Sequence, residues 1–174
     1  AIKTAASNIT IFHKEQLPKK YTIETMPGIK CSREYRSIDN VGLYIPGGTA
    51  ILPSTLLMLG IPAKIAGCKR IVVCTPAGKK INPEVLYTAK YLGIKEIYKI
   101  GGAQAIGLMA YGTKNIEKVD KIFSPGNQYV TAAKQIVSRD SVAIDMPAGP
   151  SEVAVLADQS CVPAFVASDL LSQA

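Results

Sequence analysis

Apolar positions divide the chain into a short amino-terminal region and a longer, repetitive one. Over residues 1–16 they recur every three or four positions, which predicts a helix. The runs Tyr21–Met26 and Cys31–Ile38 flank a Pro27-Gly28 turn signal, which predicts a two-stranded antiparallel unit. We therefore expect residues 1–40 to form an arm made of one helix and one hairpin.

From Val41 onward, short apolar runs, turns rich in Gly and Pro, and helix-like runs alternate. This pattern is typical of a parallel sheet covered by helices on both faces. The predicted strands are Val41–Ile45, Arg70–Cys74, Glu96–Ile100, Lys121–Phe123 and Val153–Leu156, with Val142–Ile144 as an additional short strand. The predicted helices are Ser54–Ala66, Pro83–Leu92, Ala103–Tyr111, Gln128–Val137 and Pro163–Ala174. We expect a doubly wound α/β domain with Rossmann-like βα units over residues 41–174.

Proline and glycine mark the ends of several predicted helices. Pro83 and Pro163 stand in a first turn, where proline is tolerated, and Gly93 and Gly112 stand where a helix would end. Pro62 lies inside the first helix of the α/β domain, where it predicts either a kink or a break.

A turn that we call an elbow follows five of the predicted strands. The elbows are residues 45–48, 75–78, 101–104, 124–127 and 146–151. Parallel strands end at one edge of a sheet, so all five should meet at the carboxyl edge, where open α/β sheets bind ligands. Their glycines would admit a ligand close to the backbone, and the helix N-termini would favour an anionic group. Ordinary βα turns also need flexible residues, but Gln104, Asn127 and Ser151 strengthen the interpretation of the set as a site.

Neither common nucleotide-binding fingerprint is present. No G-x-G-x-x-G occurs, and no acidic residue lies between Gly48 and Glu84 to hold a ribose. A G-x-x-x-x-G spacing starts at Gly102, but Leu108 and Met109 stand where a P-loop needs Lys and Ser or Thr. The residues themselves therefore indicate only a crevice for a small, anionic molecule.

Composition and charge narrow the class of protein. Hydrophobic residues make up 48% of the 174 residues and charged residues 19%, which excludes disordered, collagen-like and coiled-coil chains. The longest apolar run, Ile51–Ile61, is interrupted by Pro53, Ser54, Thr55 and Gly60, and it is shorter than the roughly 18 residues of a membrane span. We therefore expect a soluble protein without a membrane partner. The net charge of +7 favours anionic ligands, but the lysines are scattered and no RNA-binding signature appears. We expect no nucleic-acid partner.

Cysteine and histidine content limits redox and metal chemistry. Cys31, Cys68, Cys74 and Cys161 show no C-x-x-C spacing and no signal peptide opens the chain, so we expect a reducing compartment, the cytoplasm. His13 is the single histidine, and a solvent-facing position on the first helix is its simplest interpretation. Neither a His-based catalytic triad nor a His-rich metal cage is expected within these residues.

Six segments of the chain are more informative about function than its composition or periodicity. They are VGLYIPGG (41–48), STLLML with IPAKIAGCKRIVVC (54–74), IGGAQAIGLMAYGT (100–113), KVDKIFSPGNQYVTAAK (118–134), IDMPAGPSEVAVLAD (144–158) and FVASDLLSQA (165–174). In these parts the chain resembles the histidinol dehydrogenase family, and the resemblance covers nearly its whole length. Members of that family are more than twice as long and continue after LLSQA into a histidine-bearing zinc segment. The resemblance therefore implies that these residues are an incomplete fragment of such an enzyme.

The resemblance implies a zinc-dependent dehydrogenase that oxidises L-histidinol to L-histidine through L-histidinal and consumes two NAD. It implies NAD contacts at Tyr44, Gln104 and Asn127, a substrate contact at Ser151, and a zinc ligand at Gln173 that also touches the substrate. The catalytic glutamate and histidine bases and the other zinc ligands have no counterpart here, so no catalytic residue is assigned and the fragment is expected to be inactive alone. The complete enzyme is expected to be a homodimer.

Simpler roles remain open for the site residues. Tyr44 would also suit the edge of a sheet, Gln104 and Asn127 the N-cap of a helix, and Ser151 a cap or turn. Two other kinds of protein also remain open. One is a stand-alone NAD-binding or small-molecule-binding module without catalysis, and the other is a basic nucleic-acid-binding domain.

Overall fold

The amino-terminal region forms a helix and a separate hairpin. In the computed structural model, which describes residues 1–47, 52–78, 80–147 and 152–172, α1 spans Ile2–Lys14. The antiparallel strands β1 (Tyr21–Met26) and β2 (Ile29–Arg33) follow. Gly28 joins them with a φ of +82°, a left-handed conformation that favours glycine. The helix and the hairpin are confirmed, although β2 begins before Cys31 and ends at Arg33 instead of Ile38.

A parallel five-stranded sheet organises most of the remaining chain. Its strands are β3 (Asn40–Tyr44), β4 (Arg70–Cys74), β5 (Glu96–Tyr98), β6 (Lys121–Phe123) and β7 (Ala143–Ile144). They pair in the order β5-β4-β3-β6-β7, and every pair is parallel. This order confirms the doubly wound fold. After β3, the chain adds β4 and β5 on one side of β3 and then adds β6 and β7 on the other side. The topological switch point therefore lies between β3 and β6.

Helices cover both faces of the five-stranded sheet. They are α2 (Pro53–Ala66), α3 (Pro83–Tyr91), α4 (Gly102–Tyr111) and α5 (Gln128–Asp140), and α6 (Pro163–Leu171) follows them along the chain. Successive strand residues point to opposite faces. Leu43 accordingly belongs to the core cluster under α1, α2 and α3, whereas Tyr44 belongs to the cluster under α4 and α5.

The prediction of a strand at Val153–Leu156 is wrong. Residues 152–158 have no regular secondary structure, and the side chain of Leu156 is fully exposed. An apolar run favours a strand only locally, because a strand also needs a neighbour for its backbone hydrogen bonds. No described strand pairs with this segment.

The sequence leaves open a kink or a break at Pro62, and the prediction of a break is wrong. The helix is continuous from Pro53 to Ala66, with Pro62 in its interior. Ile61 and Ala63 on either side of the proline are buried in the core cluster. This burial offsets the missing backbone hydrogen bond that proline causes.

The first helix shares its core with the α/β region. Ala6 is 2% exposed and lies in the same cluster as the buried residues of α2 and α3. In contrast, every residue of β1 and β2 is exposed. The boundary between an arm and a domain at residue 40 stays a prediction.

Candidate functional site

The elbows after β3, β4, β5 and β6 lie at the carboxyl edge of the parallel sheet. Backbone hydrogen bonds extend the strand pairing into them. The N–H of Ile45 donates to the carbonyl of Cys74 over 2.9 Å, and the N–H of Thr75 donates to the carbonyl of Tyr98 over 3.1 Å. The elbow after β7 continues into residues 148–151, which lie outside the described residues.

Pro76 packs between the two elbows that neighbour its own. A Cβ atom at Gly47 would lie 2.8 Å from Cγ of Pro76, and one at Gly101 would lie 2.5 Å from Cβ of Pro76. Both distances are too short for a side chain, so the two glycines allow three elbows to pack together. The sequence predicts that these glycines admit a ligand, but in the structure they make room for Pro76.

Tyr44 connects the end of β3 to the start of α4. Its side chain is 5% exposed, and its hydroxyl accepts a hydrogen bond from the backbone N–H of Gly102 over 3.0 Å. Gly102 has a φ of +66°, a conformation that favours glycine. The bond brings the first turn of α4, which carries Gln104, to the end of β3. The buried ring fits the sheet-edge role, and the NAD contact of Tyr44 stays a prediction.

Gln104 and Asn127 lie at the starts of two helices but have different roles there. Asn127 is the N-cap of α5, and its Oδ1 accepts from the N–H groups of Tyr129 and Val130, each over 3.1 Å. The capping role is therefore confirmed for Asn127, which retains an amide NH₂ for another partner. The capping role is wrong for Gln104, because Gly101 is the N-cap of α4. Gln104 is exposed.

Ser151 and Gln173 lie outside the described residues. Their assigned roles in substrate and zinc binding stay predictions.

An ion pair that the sequence did not predict joins the buried Lys134 to the partly buried Asp145 at the carboxyl edge. Lys134 of α5 is 4% exposed, and its Nζ donates to the carbonyl of Ser124 over 2.9 Å and pairs with the carboxylate of Asp145. The Oδ2 of Asp145 accepts from the N–H of Ser124 over 2.8 Å. A signal was available, because Lys134 falls between Val130 and Val137 at the spacing of a buried helix face.

A crevice of about 520 Å³ opens beside the elbows after β3 and β4. The exposed Lys80 and the start of α3 line it, and Oδ1 of Asn82 caps this helix by accepting from the N–H of Glu84 over 2.8 Å. A cation near a helix N-terminus favours an anionic group. This crevice therefore suits an anionic group, and it lies on the β4 side of β3, whereas the switch point lies on the β6 side.

An apolar groove of about 440 Å³ lies elsewhere on the molecule. The segment 36–38 and the second half of α2 form most of its lining. No elbow residue contributes to it, so we do not assign it to the candidate site.

A partly buried ion pair lies away from the elbows. Arg70 and Glu96 are the first residues of β4 and β5, and two guanidinium nitrogens donate to the two carboxylate oxygens over 2.9 and 2.8 Å. These hydrogen bonds lower the pKa of Glu96 and raise that of Arg70. Because parallel strands begin at the edge opposite the elbows, this pair joins neighbouring strands and has no place in the candidate site.

Cys74, the last residue of β4, is near the elbows but is a poor nucleophile. Burial raises the pKa of its thiol to about 12. A thiol is nucleophilic mainly as the thiolate, which is scarce at neutral pH when the pKa is this high. We assign Cys74 to the core.

Two kinds of site are missing from the part of the chain that the structure describes. None of its helices is both long enough and apolar enough to cross a membrane. Within the same residues, no three His, Cys, Asp or Glu side chains are grouped so that they could hold a metal ion.

Comparisons with known proteins agree with the fold. The family model described as histidinol dehydrogenase matches residues 1–174. The chain is 59% identical to histidinol dehydrogenase of Vibrio parahaemolyticus and 61% identical to that of Bacteroides fragilis, over 100% of this chain and 40% and 41% of those proteins. The crystal structure of histidinol dehydrogenase from Elizabethkingia anophelis matches with a TM-score of 0.90 and 63% identity, over 99% of this chain and 40% of that one. The chain thus spans about two-fifths of the length of these relatives.

Proposed function

This chain belongs to the histidinol dehydrogenase family, and we propose that it forms the NAD side of an enzyme that oxidises L-histidinol to L-histidine through L-histidinal. The match of the family model to residues 1–174 is the observation that carries this proposal. The elbows at the carboxyl edge support it, because open α/β sheets bind their ligands there. In this proposal the nucleotide-binding domain begins at residue 41, after the amino-terminal arm.

We assign NAD to the carboxyl edge around the switch point between β3 and β6. Tyr44 is the last residue of β3, and Asn127 lies in the elbow after the neighbouring strand β6. The hydrogen bond from Gly102 to Tyr44 adds the turn that carries Gln104. The amide NH₂ of Asn127 and the amide NH₂ and carbonyl oxygen of Gln104 would hydrogen-bond the cofactor. NAD, when bound, supplies the hydride acceptor, and the residues named here bind and orient it.

Zinc and substrate belong to the same proposal. Ser151 would contact L-histidinol, and Gln173 would contact both zinc and L-histidinol. The described residues alone do not provide a metal site. The catalytic bases and the other zinc ligands would come from the portion of the relatives that this chain does not span. We also propose that the complete enzyme is a homodimer and that it is located in the cytoplasm.

A stand-alone binding module without catalysis is less well supported. The identity to proteins named histidinol dehydrogenase is 59% and 61%, and it extends over the whole chain. No described feature favours a polynucleotide as the ligand.

Titration of NAD into the isotopically labelled 174-residue chain, followed by NMR, tests the cofactor site. We expect shifts that cluster at Tyr44, Gln104 and Asn127. NAD that contacts only one wall of a crevice loses part of its contacts but still pays most of the entropy cost of binding. We therefore expect a dissociation constant of about 1 mM. Shifts that cluster away from these residues would rule out the assigned site. A histidinol dehydrogenase of full length would serve as the positive control.

A further inference from the structure

Ser124 is the first residue of the elbow after β6, and one ion pair binds both of its backbone polar groups. Its N–H donates to Asp145, and its carbonyl accepts from Lys134. The same two side chains pair with each other through the other oxygen of Asp145. The backbone at the end of β6 is therefore held from two directions.

Core stability does not require an ion pair at this position. Removing two charges from water costs free energy that their attraction often fails to recover, and apolar side chains of similar volume are commonly neutral or stabilising replacements. Val130 and Val137 are buried on the same face of α5, so an apolar residue at position 134 would suit this core. An apolar side chain cannot hydrogen-bond the backbone of Ser124, however, and this is what distinguishes the ion pair.

The ion pair also joins three parts of the candidate site. Asp145 follows β7 and precedes the elbow that contains Ser151. Ser124 begins the elbow that ends at Asn127, and Lys134 lies on the helix that Asn127 caps. The N–H of Asp145 also donates to the carbonyl of Ile122 over 3.0 Å, which extends the pairing of β6 and β7. Movement of either elbow would therefore disturb the pair.

We propose that Lys134 and Asp145 are positioning residues, which hold the elbow after β6 against the end of β7 so that Asn127 meets the cofactor. Their effect on binding is indirect, through the backbone of Ser124 and the cap of α5. This inference rests on the proposed NAD site, and its experiment includes one measurement that does not need NAD.

The test variant is Lys134→Met combined with Asp145→Leu. It removes both charges together, so neither is left buried without its partner. The matched control is Val137→Ala, which removes buried apolar atoms from the same face of α5 and keeps the ion pair. Circular dichroism and thermal unfolding establish that both variants fold.

Two measurements then compare the folded variants with the parent chain. We expect the double variant to bind NAD about tenfold more weakly, while Val137→Ala binds as the parent does. We also expect about tenfold faster hydrogen exchange of the Tyr129 and Val130 amides in the double variant alone, because Asn127 caps these groups.

The outcomes separate this inference from the proposed function. A folded double variant with the parent's NAD affinity and amide exchange would overturn the positioning role, as would equal effects of Val137→Ala. If the parent chain binds no NAD, the proposed NAD site fails, and amide exchange still decides whether the pair positions the elbow. If the double variant does not fold, Lys134→Arg replaces it, because arginine keeps the positive charge but moves the hydrogen-bond donor. Unchanged amide exchange and unchanged NAD affinity in Lys134→Arg would equally reject the proposal.

Discussion

The hydroxyl oxygen of Tyr44 accepts a hydrogen bond from the backbone N–H of Gly102 over 3.0 Å, across 58 positions of the sequence. The N–H groups of a first helical turn have no acceptor within their own helix. Tyr44 supplies one of these acceptors to α4, which is the connection from β5 back to β6. The bond thereby fixes where the turn that carries Gln104 lies relative to the end of β3.

Tyr44→Phe tests this connection. The substitution keeps the buried ring but leaves the N–H of Gly102 without its acceptor, so we expect a loss of about 1 kcal/mol in the free energy of unfolding. NAD binding should weaken as well, because Gln104 is less firmly placed. Urea unfolding and NMR titration measure the two effects. Tyr129→Phe, at an exposed position, is the control, and a Tyr44→Phe variant indistinguishable from it would refute the role.

Substitutions of Asn127 separate capping from cofactor binding. Serine retains an oxygen that can cap α5 but lacks the amide NH₂, whereas alanine lacks both. We expect Asn127→Ser to keep nearly all of the stability and to lose NAD affinity. Asn127→Ala should also lose about 1 kcal/mol of the free energy of unfolding. If Asn127→Ser binds NAD as tightly as the parent, Asn127 has only the capping role.

Zinc binding by the 174-residue chain should be too weak to survive dialysis. Zinc sites normally use three or four protein ligands, and the acidic residue nearest to Gln173 in sequence is Asp169. Equilibrium dialysis with metal analysis makes the measurement, with Gln173→Ala as the comparison. Stoichiometric zinc that disappears in Gln173→Ala would show a more complete site than we propose.

The 174-residue chain should not reduce NAD when it is supplied with L-histidinol and zinc. A positioned general base contributes roughly 10²- to 10⁴-fold to the rate of a reaction, and the family's glutamate and histidine bases have no counterpart in these residues. Absorbance of NADH measures turnover, with a full-length family member as the positive control. Turnover near that of the control would contradict this expectation.

The Arg70–Glu96 pair should make stability depend on pH in the acid range. Its hydrogen bonds place the pKa of Glu96 in the folded chain below the ordinary value of 4.5, so the unfolded chain binds the proton more readily. The stabilising contribution is therefore complete above pH 4.5 and is lost as the pH falls through the lower, folded pKa. Urea unfolding at a series of pH values should show a shallower acid decline in Glu96→Gln. The exposed Glu15→Gln is the control, and an identical decline in both variants would exclude the linkage.

Much of the fold follows from local signals. The sequence predicts the strands Arg70–Cys74 and Lys121–Phe123 to the residue, because a short apolar run followed by a turn rich in Gly and Pro indicates a buried strand. Parallel topology then implied that the elbows share one edge of the sheet. The family became evident from longer motifs such as VGLYIPGG, since periodicity alone indicated only an anionic crevice.

The tertiary structure decided which distant residues meet. Local pattern could not exclude a strand at Val153–Leu156, because a strand depends on an available neighbour as well as on its own residues. It also gave no sign that Pro76 fills the space beside two glycines or that Tyr44 accepts from Gly102. The buried Lys134 is explicable only with Asp145 and Ser124 beside it, because an ammonium group is stable in a core when its partners surround it there. Such contacts arise from the packing of separate elements, which one-dimensional periodicity does not encode.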